Sequence, residues 1–281
     1  MKIGCFSFNT DYGIRADVLA RALEERGFES LWVGEHTHIP AARRTPYPGG
    51  GELPKPYYHM ADPFVSLAMA AAVTKTLKLG TGICLVTERD PIVLAKEVAT
   101  LDHLSGGRFL FGIGAGWNVE EMENHGTPGK RRWAVLRERI QAMKAIWTQE
   151  QASFQGEFHR FERIISNPKP AQKPHPPIIL GAATEPSRRR VAEYCDGWIP
   201  IDVLIDQLPA AIADLHAKLE AAGRKPGDAP ISIFAFKGEE RHLSRYRDLG
   251  IERVTVMLPR REEDALPFLD KLAPVAAQLA A

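Results

Sequence analysis

Residues 77–114 read LKLGTGICLVTERDPIVLAKEVATLDHLSGGRFLFGIG, and this stretch decides the fold. Two short apolar runs, LKLGTGI (Leu77 to Ile83) and RFLFGIG (Arg108 to Gly114), flank a helical pattern from Pro91 to His103. Pro91 suits a first helical turn, where a missing N–H is no loss. Near-continuous apolar strands are what a parallel sheet covered on both faces requires. The unit reads as strand, helix, parallel strand.

The same unit recurs on both sides. Upstream, Lys2 to Phe8 precedes a helix from Ile14 to Arg26 that stops at Gly27. Ser30 to Gly34 is followed, after a long loop, by a helix near Pro63 to Lys75. Downstream, a helix from Trp133 to Trp147 follows the strand ending at Gly114. Four further pairs are Pro176–Gly181 with Pro186–Tyr194, Gly197–Ile201 with Leu204–Ala222, Ile231–Phe236 with Glu239–Leu249, and Arg253–Leu258 with Glu262–Leu279. An open doubly wound sheet shares this alternation. Eight units in 281 residues favour closure into one α/β domain, residues 1–281, built as a TIM-type (β/α)₈ barrel.

Two stretches break the rhythm. His38 to His59 is rich in Pro, Gly and Tyr and is long for a loop after the second strand. Gln149 to Pro177, between the fourth and fifth strands, carries FQGEFHRF, which reads as a small hairpin, and then a Pro-rich run. Loops this long are usually functional. Because loops after barrel strands line the active-site face, the first reads as a substrate lid. Its Tyr47, Tyr57 and Tyr58 suggest a fairly apolar pocket.

Composition narrows the partners. The formal net charge is +1, which gives no electrostatic reason to expect nucleic acid or an anionic membrane. Cys5, Cys84 and Cys195 are odd in number and far apart, as expected of buried thiols in a reducing cytoplasm. No apolar run matches a signal peptide or a membrane span, so the expected location is cytoplasmic.

Strand C-terminal ends are where a barrel keeps its chemistry. The second strand ends in Gly34-Glu35-His36-Thr37-His38, the third in Gly80-Thr81-Gly82-Ile83, the fourth in Gly114-Ala115-Gly116-Trp117-Asn118, and the fifth in Gly181-Ala182-Ala183-Thr184. Glycine at strand ends lets backbone approach a flat ligand. Thr184 and Ser187, with Arg188 and Arg189 behind them, open a helix that could seat a phosphate or simply be capped. The Gly-x-Gly-x-Gly run lacks the acidic residue that a dinucleotide fingerprint places further on. His36-x-His38 could open a metal site for a hydrolase. Later strand ends supply only Asp202 as a further ligand, so no metal is expected.

The whole set of strand ends resembles the luciferase-like monooxygenase superfamily. The resemblance rests on SLWVGEHTHIP, LKLGTGI, the block ERDPIVLAKEVATLDHLSGGRFLFGIGAGWNVEEMENHG, RRWAVLRERIQAMKAIW, PHPPIILGA and YCDGWIP. The GAGWNVEEMENHGT detail is similar to its F420-dependent oxidoreductase subgroup. The resemblance implies a bound deazaflavin, coenzyme F420, with FMN as the alternative. It implies hydride exchange with a small organic substrate, with His36 handling the proton and Glu35 orienting the ring. It places a cis peptide at Gly82-Ile83 beneath the ring. Ala115, Gly116, Trp117 and Asn118 would lie along the pyrimidine and ribityl part. Gly181, Ala182, Ala183 and Thr184 would cradle the phosphate, with Arg131 or Arg132 nearby and Gly197 and Trp198 as a wall. Trp117 stands where some sugar-phosphate dehydrogenases of the superfamily carry an acid, which argues against that substrate. Further implications are a homodimer and a flavin or F420 reductase as partner. The rival readings are a two-component FMN monooxygenase using O2 and a flavin-binding protein without catalysis.

Overall fold

The computed structural model describes residues 1–201, 206–237 and 240–280. The elements are β1 (Lys2–Ser7), α1 (Ala16–Glu25), β2 (Ser30–Val33), α2 (Pro63–Val73), β3 (Lys78–Thr81), β4 (Cys84–Leu85), α3 (Pro91–Leu104), β5 (Phe109–Gly114), α4 (Val119–Asn124) and α5 (Arg132–Thr148). They continue as β6 (Ala152–Gln155), β7 (Arg160–Ile164), β8 (Ile178–Leu180), α6 (Glu185–Tyr194), β9 (Gly197–Trp198), α7 (Leu208–Ala221), β10 (Ser232–Phe236), α8 (Glu240–Asp248), β11 (Arg253–Met257) and α9 (Glu262–Ala280). Asp202, the helix start at Leu204 and the start at Glu239 lie outside the described residues.

Local chemistry sets the helix starts. The Asp62 carboxylate accepts from the Val65 N–H, and Asp90 accepts from Ile92 and Val93, each with proline next in the chain. These caps satisfy amides that the first turn leaves without partners. The parallel strands run in the order β10-β11-β1-β2-β3-β5-β8-β9. Parallel bridges Trp198–Ile231 and Ile201–Phe234 join the two ends of that path. The result is a parallel eight-stranded barrel surrounded by helices, as the repeat of units predicts.

Alternation along each strand divides the apolar residues into two sets. Leu31 and Val33 of β2 point outward to the helices, in the same cluster as Phe109, Phe111 and Ile113 of β5. Trp32 and Leu110 point inward and pack with Phe6, Ile179 and Ile199 to fill the bore. Gly80 is required here: a Cβ on it would lie 2.4 Å from the Trp32 ring. All three cysteines are buried and unpaired.

Two details escape the sequence reading. The third strand ends at Thr81 and, past the cis peptide that the resemblance placed at Gly82–Ile83, β4 pairs afresh with β5 through Cys84–Ile113 and Leu85–Gly114. The short helix α4, VEEMEN, shows no apolar periodicity. The expected hairpin is present, with β6 and β7 antiparallel through Phe154–Phe161. Glu138 of α5 pins its turn, accepting from the N–H groups of Glu157, Phe158 and His159 at 2.8, 2.7 and 2.6 Å.

Candidate active site

A cavity of about 430 Å³ opens at the C-terminal ends of the barrel strands. Its lining is mostly apolar or small, including Gly34, Gly82, Ile83, Ala115, Gly116 and Ala182, with Glu35, His36 and Lys237 as the ionisable members. Such a pocket, mostly apolar with few polar groups, suits a small organic ligand or a cofactor ring. Its glycines serve the protein before any ligand. A Cβ on Gly114 would lie 2.1 Å from Ile83 Cδ1, and one on Gly181 would lie 2.7 Å from Ile83 Cγ2. The Ile83 side chain therefore occupies the space that those two glycines leave.

An aromatic wall comes from two loops. The His36 ring centre lies 5.3 Å from that of Tyr57 and 5.7 Å from that of Trp117. Tyr47 lies 5.3 Å from Tyr57 and 6.0 Å from Trp117. Tyr47, Tyr57 and Met60 of the long second loop line the cavity, whereas Tyr58 is exposed. Glu120 of α4 fastens this loop by accepting from the N–H groups of Arg44 and Thr45, both at 3.2 Å. The 149–177 excursion contributes no lining residue.

His36 and its neighbour Glu35 face different tasks. His36 Nδ1 lies 2.7 Å from Glu121 Oε2, and both side chains are almost fully buried. With Nδ1–H donated to this carboxylate, Nε2 is left as the proton acceptor of the ring. Glu35 lines the cavity, but its oxygens accept from the Leu85 N–H and from Arg89, each at 2.6 Å. Arg89 also bonds to Glu97 and Asp62, so Glu35 anchors a four-residue network behind the wall. Its carboxylate holds β4 in place.

The other candidates spread around the same end. Ala115, Gly116 and Trp117 line the cavity. Asn118 is buried behind it, 3.4 Å from Glu121 Oε2, with its own Oδ1 lacking a partner. Gly181 and Ala182 line the cavity, while Ala183 and exposed Thr184 lead out to the N-terminus of α6. The Thr184 and Ser187 hydroxyls lie 2.8 Å apart. Arg188 bonds to Asp214, and Arg131 to Glu157. Arg132 donates to the Gly129 carbonyl at 2.9 Å and keeps a buried Nε without a partner. Trp198 Nε1 donates to the Ala182 carbonyl at 2.7 Å, so the wall expected of Gly197 and Trp198 supports the Ala182 loop.

His38 turns away from His36, toward Thr37 Oγ1 at 3.0 Å and the Asn124 amide at 2.9 Å. Among the described residues, no group of three or more His, Cys, Asp or Glu is placed to hold a metal. No described helix is long and apolar enough to cross a membrane.

Sequence reasoning missed two acids. Glu121, on α4, and Glu88, just past β4, are both buried, and neither ends a barrel strand. One signal for the first was available: Asn118 before Val119-Glu120-Glu121 is a cap residue followed by an acidic first turn. Burial and Glu121's charge, with Glu35's behind it, push the Glu88 carboxyl up to about 9. Glu88 is thus protonated at neutral pH.

Comparison with known proteins gives the family and the fold. The family model described as luciferase-like monooxygenase matches residues 13–237. An uncharacterized Mycobacterium tuberculosis protein is 42% identical over 97% of this chain and 98% of its own length. The F420-dependent hydroxymycolic acid dehydrogenase of M. tuberculosis is 29% identical over 86% of this chain and 63% of its own. The FMNH(2)-dependent dimethylsulfone monooxygenase of Pseudomonas putida is 34% identical over 57% of this chain and 44% of its own. In fold, monooxygenase RslO1 from Streptomyces bottropensis superposes with a TM-score of 0.81 at 21% identity, over the full length of both chains. An F420-dependent secondary alcohol dehydrogenase superposes with a TM-score of 0.78 at 17% identity, over 98% of this chain and 97% of its own. The chain belongs to the luciferase-like monooxygenase family, whose members include F420-dependent dehydrogenases and FMN-dependent monooxygenases.

Proposed function

We propose that the chain is an F420-dependent oxidoreductase that moves a hydride between the deazaflavin and a small organic substrate. The observation that carries this reading is His36, set in the wall of an apolar cavity with its Nδ1 held by buried Glu121. The lining suits a flat heterocycle: small residues and aromatic rings with few charges. When bound, the deazaflavin supplies a two-electron hydride donor or acceptor.

His36 Nε2 takes the substrate hydroxyl proton when the substrate is oxidised and returns it in the reverse direction. Glu121 holds the ring in the tautomer that this requires and favours the imidazolium that forms. Gly82, Ile83, Ala115, Gly116 and Trp117, which line the cavity, would bound the ring, and Tyr47 and Tyr57 would exclude water as part of a lid. Asn118 orders Glu121 from behind. Glu35 positions the wall through β4. Ala182, Ala183 and Thr184 would lead the cofactor's phosphate to the N-terminus of α6, where amides and hydroxyls favour an anion. Gly181 would support that loop. Exposed Val65 and Met69 of α2 and Ile92 and Val93 of α3 suit pairing into a homodimer.

F420 is favoured because the matching F420-dependent relative aligns over a larger share of this chain than the FMNH(2)-dependent one does. The second reading, an FMN monooxygenase fed by a separate reductase, draws on that latter relative. His36→Ala is expected to lower turnover by about 10²–10⁴ while leaving cofactor affinity nearly unchanged. Unchanged turnover would remove His36 from the chemistry.

A further inference from the structure

We propose that Glu121 and Glu88 form a proton relay linking His36, in the cavity, to His125 at the surface. The role of His36 in it rests on the function proposed above. His36 Nδ1 meets Glu121 Oε2 at 2.7 Å. Glu121 lies close enough to Glu88 to raise its carboxyl. Glu121 Oε1 and both Glu88 oxygens are buried with no hydrogen-bond partner. Beyond Glu88, His125 Nε2 stands 3.9 Å from Glu88 Oε2, a gap that one water or a small ring rotation closes. His125 is part-exposed, and the same Nε2 bonds to Thr37 Oγ1 at 2.8 Å, a contact it gives up to take the Glu88 proton.

Two buried acids in contact need a reason to persist, because both cannot be charged without a cation. Two arginines stand near, and both are spent elsewhere. Arg89 is bound to Glu35, Glu97 and Asp62. Arg139 of α5 donates to the Val86 carbonyl at 2.8 Å and to His159 Nε2 at 2.9 Å. Glu35, the third acid near the pair, is held by Arg89 and the Leu85 amide. With neither arginine hydrogen-bonded to it, the pair is left to hold a proton. Burial and the charge of nearby His38 keep the His125 imidazole below its ordinary range, so it is neutral at neutral pH and passes any proton it takes on to solvent.

The proton count closes. After a substrate proton reaches Nε2, His36 is an imidazolium, the carboxyl pair holds one proton and His125 is neutral. His36 passes its Nδ1 proton to Glu121, and the pair holds two. Glu88 then releases one to His125, and the Glu121 proton refills Glu88. The end state has neutral His36 as its Nε2–H tautomer, one proton on the pair and protonated His125, which loses it to solvent. Before the next turnover Nε2 gives its proton to water in the open cavity and Nδ1 takes one back from the pair, which is refilled through His125. The reverse sequence supplies a proton for reduction.

The first test uses the protein without cofactor. Infrared spectra at neutral pH should show a protonated carboxyl that disappears in Glu88→Gln and titrates away in wild type near pH about 9. Absence of that band in wild type, or its persistence unchanged in Glu88→Gln, would overturn the relay. The second test uses the loaded enzyme. His125→Ala should slow turnover by about 10²-fold, the low end for a proton-transferring group, and added imidazole should restore it. Turnover equal to wild type in His125→Ala would remove the exit. If the cofactor assignment itself fails, the infrared result still decides whether the pair holds a proton. If His36→Ala abolishes turnover while the band is missing, the function stands and the relay falls.

Discussion

The two ends of the barrel treat buried charge in opposite ways. At the N-terminal end, Arg253 donates to both oxygens of Glu29 at 2.7 Å and to Ser232 Oγ at 3.3 Å. Arg108 there donates to the carbonyls of Ser105, Leu77 and Ala71 and to Thr74 Oγ1, all within 2.9 Å. Glu24, nearer the surface, accepts from the backbone of Lys75, Thr76 and Leu77. At the C-terminal end, oxygens of Glu88, Asn118 and Glu121 and the Arg132 Nε are buried without partners. A satisfied buried charge locks the fold, whereas an unsatisfied one lowers stability and persists where chemistry needs it. The N-terminal end therefore reads as the stabilising face and the C-terminal end as the working one.

Substitutions at the two ends should separate stability from activity. The largest effect belongs to Arg253→Met, which leaves the Glu29 carboxylate without its cation. The loss is expected to be about 3 kcal/mol in urea denaturation, the low end for breaking a buried pair. Burial alone would raise the Glu29 carboxyl, but the bond and charge of Arg253 outweigh it and hold it low. A lowered carboxyl contributes stability that is complete above its ordinary range and is lost as pH falls through the folded value. Arg253→Met should therefore be less acid-sensitive than wild type; an equal slope would refute the role assigned to this pair.

Glu121→Gln, at the other end, removes a buried acid facing Glu88 while keeping the shape. It is expected to raise stability by about 0.5–2 kcal/mol and to depress turnover, the trade-off of a working site. A destabilised variant with normal turnover would reverse the comparison. Glu24→Gln should have the smallest effect, below about 1 kcal/mol, because its site is open to solvent. Burial opposes ionisation of Glu24, but the amides of Thr76, Leu77 and Lys75 dominate and lower it from 4.5 to about 2. Its small contribution should thus disappear between about pH 4.5 and 2, and a wild type insensitive to acid over that range at this position would contradict the assignment.

The barrel was legible because parallel strands buried on both faces leave long apolar runs, and Pro91 and Gly27 mark helix boundaries. His36 was legible by position, as a strand-end residue. The acids behind it were not. Glu88 follows a two-residue strand whose pairing with β5 is set across the barrel wall, and Glu121 sits on a six-residue helix too short to show a period. Glu35 and His36 are adjacent in sequence, yet one turns to Arg89 and the other to the cavity wall. Only the three-dimensional placement of Leu85 and Arg89 separates them. The glycines at positions 114 and 181 suggested room for a ligand, and much of that room holds Ile83.

The most direct test is a titration of the purified protein with F420 and with FMN, each oxidised and reduced, followed by ring fluorescence. The account predicts tighter binding of F420 than of FMN, with His36→Ala binding F420 as wild type does. Tighter binding of FMN, or binding of neither, would contradict it.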